Sequence, residues 1–274
     1  MQLFFLFGCR QGRPHRRREK PIESFCIKLA GVTIQIEHRY RYTRWICRDF
    51  VLPEGAAPDF TVSATDEEIE AELSCDPQAA ASYCESLCVC RKICHKMPYY
   101  NAFLMHAAVV AVDGAAYIFT APSGTGKSTH IQLWKDHFGD RAVIVNGDKP
   151  LIRVIDGAVY VCGTPWRGKE GWGGNYTLPV AGICVIEQSP ENHIRKLSVS
   201  EASRHIFKQV LISRDSEESF DRFWSLLNRM MTTVDIYLLQ CNRDPEASRL
   251  SYLTMRRKQN AENQKGISAA PSGR

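Results

Sequence analysis

The sequence lacks any long hydrophobic run. A membrane-spanning helix needs about 20 consecutive apolar residues, whereas the longest early stretch in this chain of 274 residues is Leu3–Phe7. We therefore expect no membrane span. That stretch is also too short for the apolar part of a secretory signal peptide, and no basic segment precedes it. The sequence thus predicts a cytoplasmic protein. An irregular tail, or a start codon placed too far upstream, would equally account for the stretch.

The sequence also lacks the cysteine spacing of a common zinc site. It contains 11 cysteines, but no two of them form a C-x-x-C pair. The one cluster consists of Cys84, Cys88, Cys90 and Cys94. On a helix, the pairs 84/88 and 90/94 lie on faces about 200° apart, so one helix cannot close all four thiols around one metal. We expect reduced, buried thiols, with metal or iron–sulfur binding as the alternative.

Positive charge is concentrated at the two ends of the chain. The formal net charge is +5, from 35 Lys and Arg against 30 Asp and Glu. Residues 1–20 and 256–274 hold 11 of the basic and 2 of the acidic side chains, which leaves 24 basic and 28 acidic side chains in residues 21–255. The charge therefore indicates no specific nucleic-acid partner. We interpret residues 1–20 and 259–274 as disordered tails.

Residues 21–98 are predicted to form a small α+β region. Apolar and polar residues alternate from Val32 to Ile36, which is the period of a half-buried strand. Thr65 and Glu68 have the spacing of a capping box and predict a helix that begins near Asp66. The other predicted elements are a strand at 59–64 and a helix at 78–96.

Residues 99–258 are predicted to form the main domain. Two Asp-Gly pairs, at 113–114 and 156–157, lie between apolar segments and predict two β-hairpins. Because hairpins pair antiparallel strands, the sheet of this domain should be mixed. The predicted elements are hairpin strands at 109–112, 115–120, 151–155 and 158–161, a strand at 142–145, helices at 199–213 and 217–232, a strand at 234–239 and a helix after Pro245.

The segment Ala121–Thr129, with the sequence APSGTGKST, follows an apolar strand and precedes the amphipathic stretch His130–Phe138. Glycines let successive backbone N–H groups surround an anion, and the helix N-terminus adds partial positive charge. In such a loop Lys127 reaches the outer phosphates and Ser128 ligates Mg²⁺. Ala121 stands where the strict motif has glycine. The predicted ATP-binding residues are Ser123, Gly124, Thr125, Gly126, Lys127, Ser128 and Thr129; the alternative is a Ser/Gly-rich turn with an incidental lysine.

Phosphoryl transfer also needs an acid that holds Mg²⁺ or accepts the proton of the acceptor. The strand at 142–145 ends at Asn146-Gly147-Asp148, so Asp148 is our candidate for both roles. The alternative is a turn aspartate, because Asn-Gly-Asp is also favourable in turns. His106 is predicted to lie within an apolar strand, either near the chemistry or as a hydrogen-bonded core residue.

The stretch from Gly163 to Asn175 is rich in glycine and also contains Trp, Arg, Lys and Glu. Loops of this kind often carry substrate contacts. Arg167 and Lys169 could meet a phosphate or an acidic substrate, and Glu170 could be a second acid. The alternative is a surface loop whose tryptophans pack on the core.

Three strings within about residues 103–190, HAAVVAVDG, APSGTGKST and VIVNGDKP, resemble the catalytic domain of HPr serine kinase/phosphorylase and of the related ATP-dependent phosphoenolpyruvate carboxykinase. Small bacterial HPr-kinase-like proteins are the most similar. The resemblance implies an α/β fold in which residues 99–258 form a mixed-sheet P-loop kinase domain behind the small α+β region 21–98. It also implies that the protein can self-associate.

The resemblance further implies that Lys127 and Ser128 bind ATP phosphates and Mg²⁺, that His106 lies near the transferred phosphoryl group, and that Asp148 is one of the family's two adjacent acids. Gly147 occupies the place of the other acid. The signature region for phosphorylase activity has no clear match, because the segment GTPWRGKE stands there.

The expected activity is transfer of the γ-phosphoryl group of Mg-ATP to a hydroxyl, on a serine of a small protein or peptide. One alternative is a carboxykinase-like enzyme, although the chain is short for it and has no clear set of histidine and lysine metal ligands. Another is a nucleotide-binding regulatory protein without transferase activity, which the missing second acid would explain.

Overall fold

The computed structural model describes residues 21–256, so both predicted tails, 1–20 and 259–274, lie outside the described residues. The chain divides into two compact units between Lys96 and Met97. Both units combine helices and strands, which gives a mixed α/β protein. Within residues 21–256, no helix is both long enough and apolar enough to cross a bilayer.

Among its described residues, 21–96, the first unit contains one three-stranded sheet and three α-helices. In this sheet β2 (Val32–His38) pairs antiparallel with β1 (Glu23–Leu29) and parallel with β3 (Phe60–Ser63). The predicted capping box is confirmed, because Thr65 Oγ1 accepts a hydrogen bond from the backbone N–H of Glu68 at 3.3 Å and Glu68 Oε2 accepts one from the N–H of Thr65 at 2.8 Å. The elements are β1 Glu23–Leu29, β2 Val32–His38, α1 Arg41–Ile46, β3 Phe60–Ser63, α2 Asp66–Cys75 and α3 Ala81–Lys96.

Over residues 97–256, the second unit contains a nine-stranded mixed sheet and four α-helices. Its elements are β4 Ala102–Leu104, β5 Ala108–Val112, β6 Ala115–Thr120, α4 Lys127–Phe138, β7 Ala142–Asn146, β8 Leu151–Ile155, β9 Ala158–Cys162, β10 Thr177–Gln188, β11 His193–Lys196, α5 Val199–Ile206, α6 Glu217–Thr233, β12 Ile236–Cys241 and α7 Pro245–Met255.

The strand order of the main sheet is β4-β8-β9-β10-β6-β5-β7, and β12 pairs with β10 and β11. The first residues of β10 pair antiparallel with β9, while its later residues pair parallel with β6 on one side and with β12 on the other. The prediction of a mixed sheet is therefore confirmed. Three neighbouring parallel strands, β6, β10 and β12, form its centre.

Both predicted hairpins are present. Asp113 and Gly114 have φ values of 52° and 81°, and Asp156 and Gly157 have φ values of 49° and 79°. Positive φ at both central residues is what a type I′ turn requires, and it explains the Asp-Gly sequence at each site.

Two predictions differ from the structure in ways that concern the site. His106 lies in the link between β4 and β5 and not within a strand. The helix predicted at 199–213 ends at Ile206, because the following chain pairs with the link before β5: Val210 forms a β-bridge with Met105, and the N–H of Leu211 donates to Leu104 O at 3.1 Å. Tertiary pairing thus overrides the local helical pattern.

The strand β10 was not predicted. Pro179 and Gly182 lie within it, and both residues normally interrupt strands. In the structure Pro179 lies in the short antiparallel part, and the register with β6 shifts between Val180 and Gly182. The irregular centre of β10 therefore accommodates both residues.

Apolar side chains fill both faces of the main sheet. One core lies between the sheet and helices α5 and α6, and the other between the sheet and helices α4 and α7. Ile183 and Val185 of β10 belong to the first core, whereas Cys184 and Ile186 belong to the second. A strand buried on both faces is typical of parallel sheets covered by helices.

The pair Phe220 and Phe223 on α6 tests this packing. Phe223 is fully buried and its ring lies 5.5 Å from that of Phe103, whereas Phe220 is 41% exposed. We expect Phe223→Ala to lower the free energy of unfolding by about 3–5 kcal/mol. The matched change Phe220→Ala should cost about 1 kcal/mol or less. Urea unfolding followed by circular dichroism measures both, and equal losses would contradict the described packing.

Candidate functional site

Three of the predicted site segments meet at one edge of the main sheet. β6, β7 and β10 run in the same direction, because β6 and β7 are both antiparallel to β5 and β10 is parallel to β6. The glycine-rich loop, residues 121–126, follows β6, and Asp148 follows β7. His106 precedes β5, which starts at this same edge.

The glycine-rich loop turns through two residues with positive φ, Gly124 at 81° and Gly126 at 119°. A Cβ atom built at either glycine meets no atom within 4 Å, so the space beside them is open. Gly126 directly precedes α4 and carries no side chain that could cap the first N–H groups of the helix. N–H groups at a helix N-terminus favour an anion, so the loop suits phosphate groups.

Lys127 is the first residue of α4 and is only 8% exposed. Its ammonium donates to the carbonyl oxygens of Ala121 at 2.8 Å and Pro122 at 3.4 Å, so the side chain folds back over the loop. Burial lowers the pKa of Lys127 to about 8. The negative charge of Asp148 acts in the opposite direction and raises this pKa, whereas the positive charge of Lys149 lowers it. An anion beside the ammonium would relieve the cost of burying it.

The other predicted nucleotide contacts lie nearer the surface. Ser123 and Thr129 are exposed, and Thr125 and Ser128 are half-buried. The side-chain amide of Gln188, at the end of β10, donates to Thr125 O at 3.1 Å. Gln188 therefore supports the loop from the neighbouring strand.

Asp148 contacts two side chains, those of His106 and Lys149. Its Oδ1 lies 3.3 Å from His106 Nε2, and its Oδ2 accepts a hydrogen bond from Lys149 Nζ. Burial alone would raise the pKa of Asp148, but the hydrogen bond from His106 and the charge of Lys149 outweigh burial and hold the pKa well below its usual range. Asp148 is therefore a carboxylate at any physiological pH.

The fully buried Asn146 fixes the backbone that carries Asp148. Asn146 Oδ1 accepts hydrogen bonds from the N–H groups of Asp148 at 2.9 Å and Lys149 at 2.8 Å. Its Nδ2 donates to the carbonyl and hydroxyl oxygens of Thr164, each at 3.1 Å. The turn that the sequence predicts at Asn-Gly-Asp is thus present, and it fixes the backbone of Asp148.

The glycine-rich stretch 163–175 packs against Asp148. A Cβ built at Gly168 would lie 3.0 Å from Asp148 Cβ, and one built at Gly147 would lie 2.6 Å from Arg167 O. Arg167 is half-buried, while Lys169 and Glu170 are exposed. The backbone of this loop at Arg167 and Gly168 therefore lies beside Gly147 and Asp148.

Sequence reasoning missed Gln209, which is 7% exposed. Gln209 Oε1 lies 2.9 Å from His106 Nδ1, and Gln209 O accepts a hydrogen bond from the N–H of His106 at 2.6 Å. The His106 ring is therefore held through both nitrogens, by Gln209 on one side and Asp148 on the other. These contacts join positions 103 residues apart, so no local pattern could have indicated them.

A cavity of about 590 Å³ opens beside the glycine-rich loop. Its walls are formed by residues 120–125, by residues 185–188 at the end of β10, and by His205, Lys208 and Gln209. The wall residues beyond the loop itself were also missed by sequence reasoning.

The donor chemistry fits the Mg²⁺ that accompanies a nucleotide. Within residues 21–256 no group of three or more His, Cys, Asp and Glu side chains could hold a metal ion, and the cysteines of α3 at 84, 88, 90 and 94 are buried thiols. Nucleotide-bound Mg²⁺ needs only one or two protein oxygens, because phosphates and water complete its shell. The hydroxyl of Ser128 and the carboxylate of Asp148 are hard oxygen ligands of that kind.

The role of Asn146 can be tested by its removal. Asn146→Ala would leave the backbone N–H groups of the half-buried Asp148 and Lys149 without their acceptor, so we expect the free energy of unfolding to fall by about 1–3 kcal/mol. Asn228, which is exposed on α6, is the matched control, and Asn228→Ala should change it by less than about 0.5 kcal/mol. Thermal or urea unfolding measures both; a neutral Asn146→Ala would show that Asn146 does not support the Asp148 turn.

Comparison with known proteins gives a remote structural relationship. No protein-family model matches the chain, and no curated protein matches it. Among solved structures, the chain is similar to the Hpr(Ser) kinase/phosphatase from Coxiella burnetii, with 12% sequence identity and a TM-score of 0.35; the match covers 59% of this chain and 98% of that chain. Because this similarity is remote, the functional assignment has to rest on the residues of the site.

Proposed function

We propose that the protein is a kinase that transfers the γ-phosphoryl group of Mg-ATP to a hydroxyl, on a serine of a small protein or peptide. The observation that carries the proposal is the buried ammonium of Lys127, folded over a glycine-rich loop that opens a helix. A lysine at this position of a P-loop reaches the β- and γ-phosphates. Burial lowers the pKa of Lys127 to about 8, so a polyphosphate bound beside the ammonium would stabilise its charged form.

In this proposal the chain stabilises charge and positions the acceptor. Lys127 and the N–H groups of residues 123–128 bind the triphosphate, and Asp148 accepts the proton of the acceptor hydroxyl. The acceptor oxygen forms the new bond to the γ-phosphorus, the bond to the bridging oxygen breaks, and ADP leaves. Because the transition state of phosphoryl transfer is loose, positioning matters more than base strength, so a carboxylate with a low pKa can serve.

Ser128 and Asp148 would hold Mg²⁺, which when bound neutralises charge on the β- and γ-phosphates. His106 and Gln209 keep Asp148 in place. Arg167, Lys169 and Glu170 are proposed to contact the substrate from the loop 163–175. They are proposed as substrate contacts because Gly168 in the same loop packs on Asp148.

A second acid at position 147 does not fit the present backbone of the site. Arg167 O would lie 2.6 Å from a Cβ at Gly147, so a side chain there would collide with the backbone of the loop 163–175. A second candidate function is a regulatory protein that binds the nucleotide without transferring phosphate. The contacts of Asp148 favour it, because both of its carboxylate oxygens already contact His106 and Lys149.

Transfer of labelled γ-phosphate from ATP to hydroxyl peptides and lysate proteins tests the kinase. We expect Lys127→Met and Asp148→Asn each to lower transfer by about 100-fold or more. The exposed Lys28 on β1 gives a control, and Lys28→Met should transfer as wild type does. If Lys127→Met retained wild-type transfer, the proposal would fail. ATP binding without transfer to any acceptor would support the regulatory candidate.

ATP binding should depend on pH through Lys127. The unliganded ammonium loses its proton as pH rises through about 8, whereas bound phosphates favour the charged form. Affinity should therefore fall above pH 8, and binding near pH 9 should take up as much as about one proton.

Calorimetry in buffers of different ionisation enthalpy measures this proton uptake. In Lys127→Arg the guanidinium stays charged throughout this range, so the uptake should disappear. Equal uptake in wild type and Lys127→Arg would show that another group titrates.

A further inference from the structure

Helix α1 of the first unit carries an exposed surface that is both basic and aromatic. The side chains of Arg41, Arg44, Trp45 and Arg48 are exposed, whereas Thr43 on the other side of the helix is buried. Residues three and four positions apart on a helix share a face, so these four side chains form one surface, which we call the α1 surface. The residues of the candidate nucleotide site lie between positions 106 and 209, in the second unit, so the α1 surface is not part of that site.

The buried carboxylate of Glu85 on α3 holds α1 in place. The helix has only six residues, and the side chain of its N-cap residue, Tyr40, forms no capping hydrogen bond. Glu85 Oε1 accepts a hydrogen bond from the N–H of Arg39 at 2.6 Å, and Glu85 Oε2 accepts one from the N–H of Tyr40 at 3.2 Å and one from the hydroxyl of Thr43 at 2.6 Å. A helix this short is not stable by itself. These bonds therefore fix α1 and the direction in which the α1 surface faces.

The arginines of the α1 surface carry charge that the chain neutralises only in small part. A guanidinium group stays charged at any physiological pH. Among residues 21–256, no carboxylate forms an ion pair with Arg41 or Arg44. Arg48 forms an ion pair with Asp49, but the distance between Arg48 Nε and Asp49 Oδ1 is 3.9 Å. An anion beside Arg41 and Arg44 would therefore gain from their charge.

Trp45 gives the α1 surface an apolar part. Its ring stacks on that of Tyr42, with centroids 5.8 Å apart and planes 30° apart, and the Arg48 guanidinium lies 4.6 Å from its centroid. In spite of these contacts, Trp45 is 58% exposed. Trp, Tyr and Arg are the residue types that contribute most binding energy at protein interfaces. The α1 surface thus has the composition of such an interface.

Carboxylates lie next to the α1 surface on the side where α1 begins. Arg39 Nε, two residues before the helix, lies 3.3 Å from Asp66 Oδ1 in the first turn of α2, and Glu67 and Glu68 follow in that turn. An extended polyanion, such as a nucleic acid or an anionic bilayer, would face these carboxylates as well as the arginines, and like charges repel. A short acidic segment of polypeptide avoids this repulsion, because it covers only the α1 surface.

We propose that the α1 surface binds an acidic segment of a polypeptide partner. In this complex, carboxylates of the partner contact Arg41 and Arg44, and an apolar side chain between them packs on Trp45. The inference goes beyond the proposed function and does not depend on it, because none of these residues belongs to the nucleotide site.

Binding of three labelled peptides to the full chain, followed by fluorescence anisotropy, tests the inference. The peptides have equal length, and each carries one leucine flanked on both sides by Asp, Asn or Lys. We expect the Asp peptide to bind most tightly. Arg41→Glu/Arg44→Glu should weaken its binding by about tenfold or more, because each exposed ion pair contributes up to about fivefold. Trp45→Ala should also weaken it by about tenfold or more.

Arg243→Glu/Arg249→Glu supplies the matched control. It reverses two exposed arginines of the second unit and changes the net charge of the chain by the same amount. This variant should bind the Asp peptide as wild type does. If circular dichroism shows that Arg41→Glu/Arg44→Glu is unfolded, the single variant Arg41→Glu replaces it, with an expected loss of about fivefold. Equal binding of the three peptides, no binding of the Asp peptide, or equal losses in the two double variants would overturn the inference.

Vesicles that contain phosphatidylglycerol, and polyuridylate, replace the peptide in a parallel assay. If either of them binds through Arg41 and Arg44 while the Asp peptide does not bind, the partner is a bilayer or a nucleic acid and the inference fails.

Affinity for a non-hydrolysable ATP analogue, measured in the same samples, separates this inference from the proposed function. Arg41→Glu/Arg44→Glu should bind the analogue as wild type does, and a loss would contradict the separation of the two sites. If wild type binds the Asp peptide but not the analogue, the proposed function fails while the assignment of the α1 surface holds.

Discussion

The burial of one ammonium group is the constraint on which the site depends. Lys127 is 8% exposed and is stabilised by two carbonyl oxygens of its own loop and by the more distant charge of Asp148. A cation in so little water needs negative charge close by. The two positive-φ glycines leave the adjacent space open. Fold and charge together therefore leave open space next to a buried cation, and the proposed binding of a polyphosphate rests on this arrangement.

The mixed sheet supplies the geometry that such a site needs. An antiparallel β5 between β6 and β7 puts the start of one strand beside the ends of two others. His106, at that start, can then reach Asp148 after β7 while its other nitrogen contacts Gln209. In a purely parallel sheet, the residues before β5 would lie at the opposite edge.

Sequence reasoning succeeded where the signal is local. The Asp-Gly turns, the Thr65 capping box and the order of strand, glycine-rich loop and helix each depend on neighbouring residues, and each is present in the structure. Sequence reasoning failed where the structure depends on pairing between segments that lie far apart in the sequence. Strand β10 contains Pro179 and Gly182 and is stabilised by pairing on both sides, and Gln209 leaves the predicted helix to pair with the link before β5. The roles of His106, Lys127 and Asp148 remain predictions that the geometry supports.

The contact at Gly147 also constrains how this site can evolve. The carbonyl of Arg167 occupies the position that a side chain at 147 would need, and the loop 163–175 packs on Asp148 at the same place. An acid at position 147 therefore requires the backbone of the 163–175 segment to move. A protein with an acid at this position would have to carry a remodelled 163–175 segment, so the residue at 147 and the composition of that segment should change together across lineages.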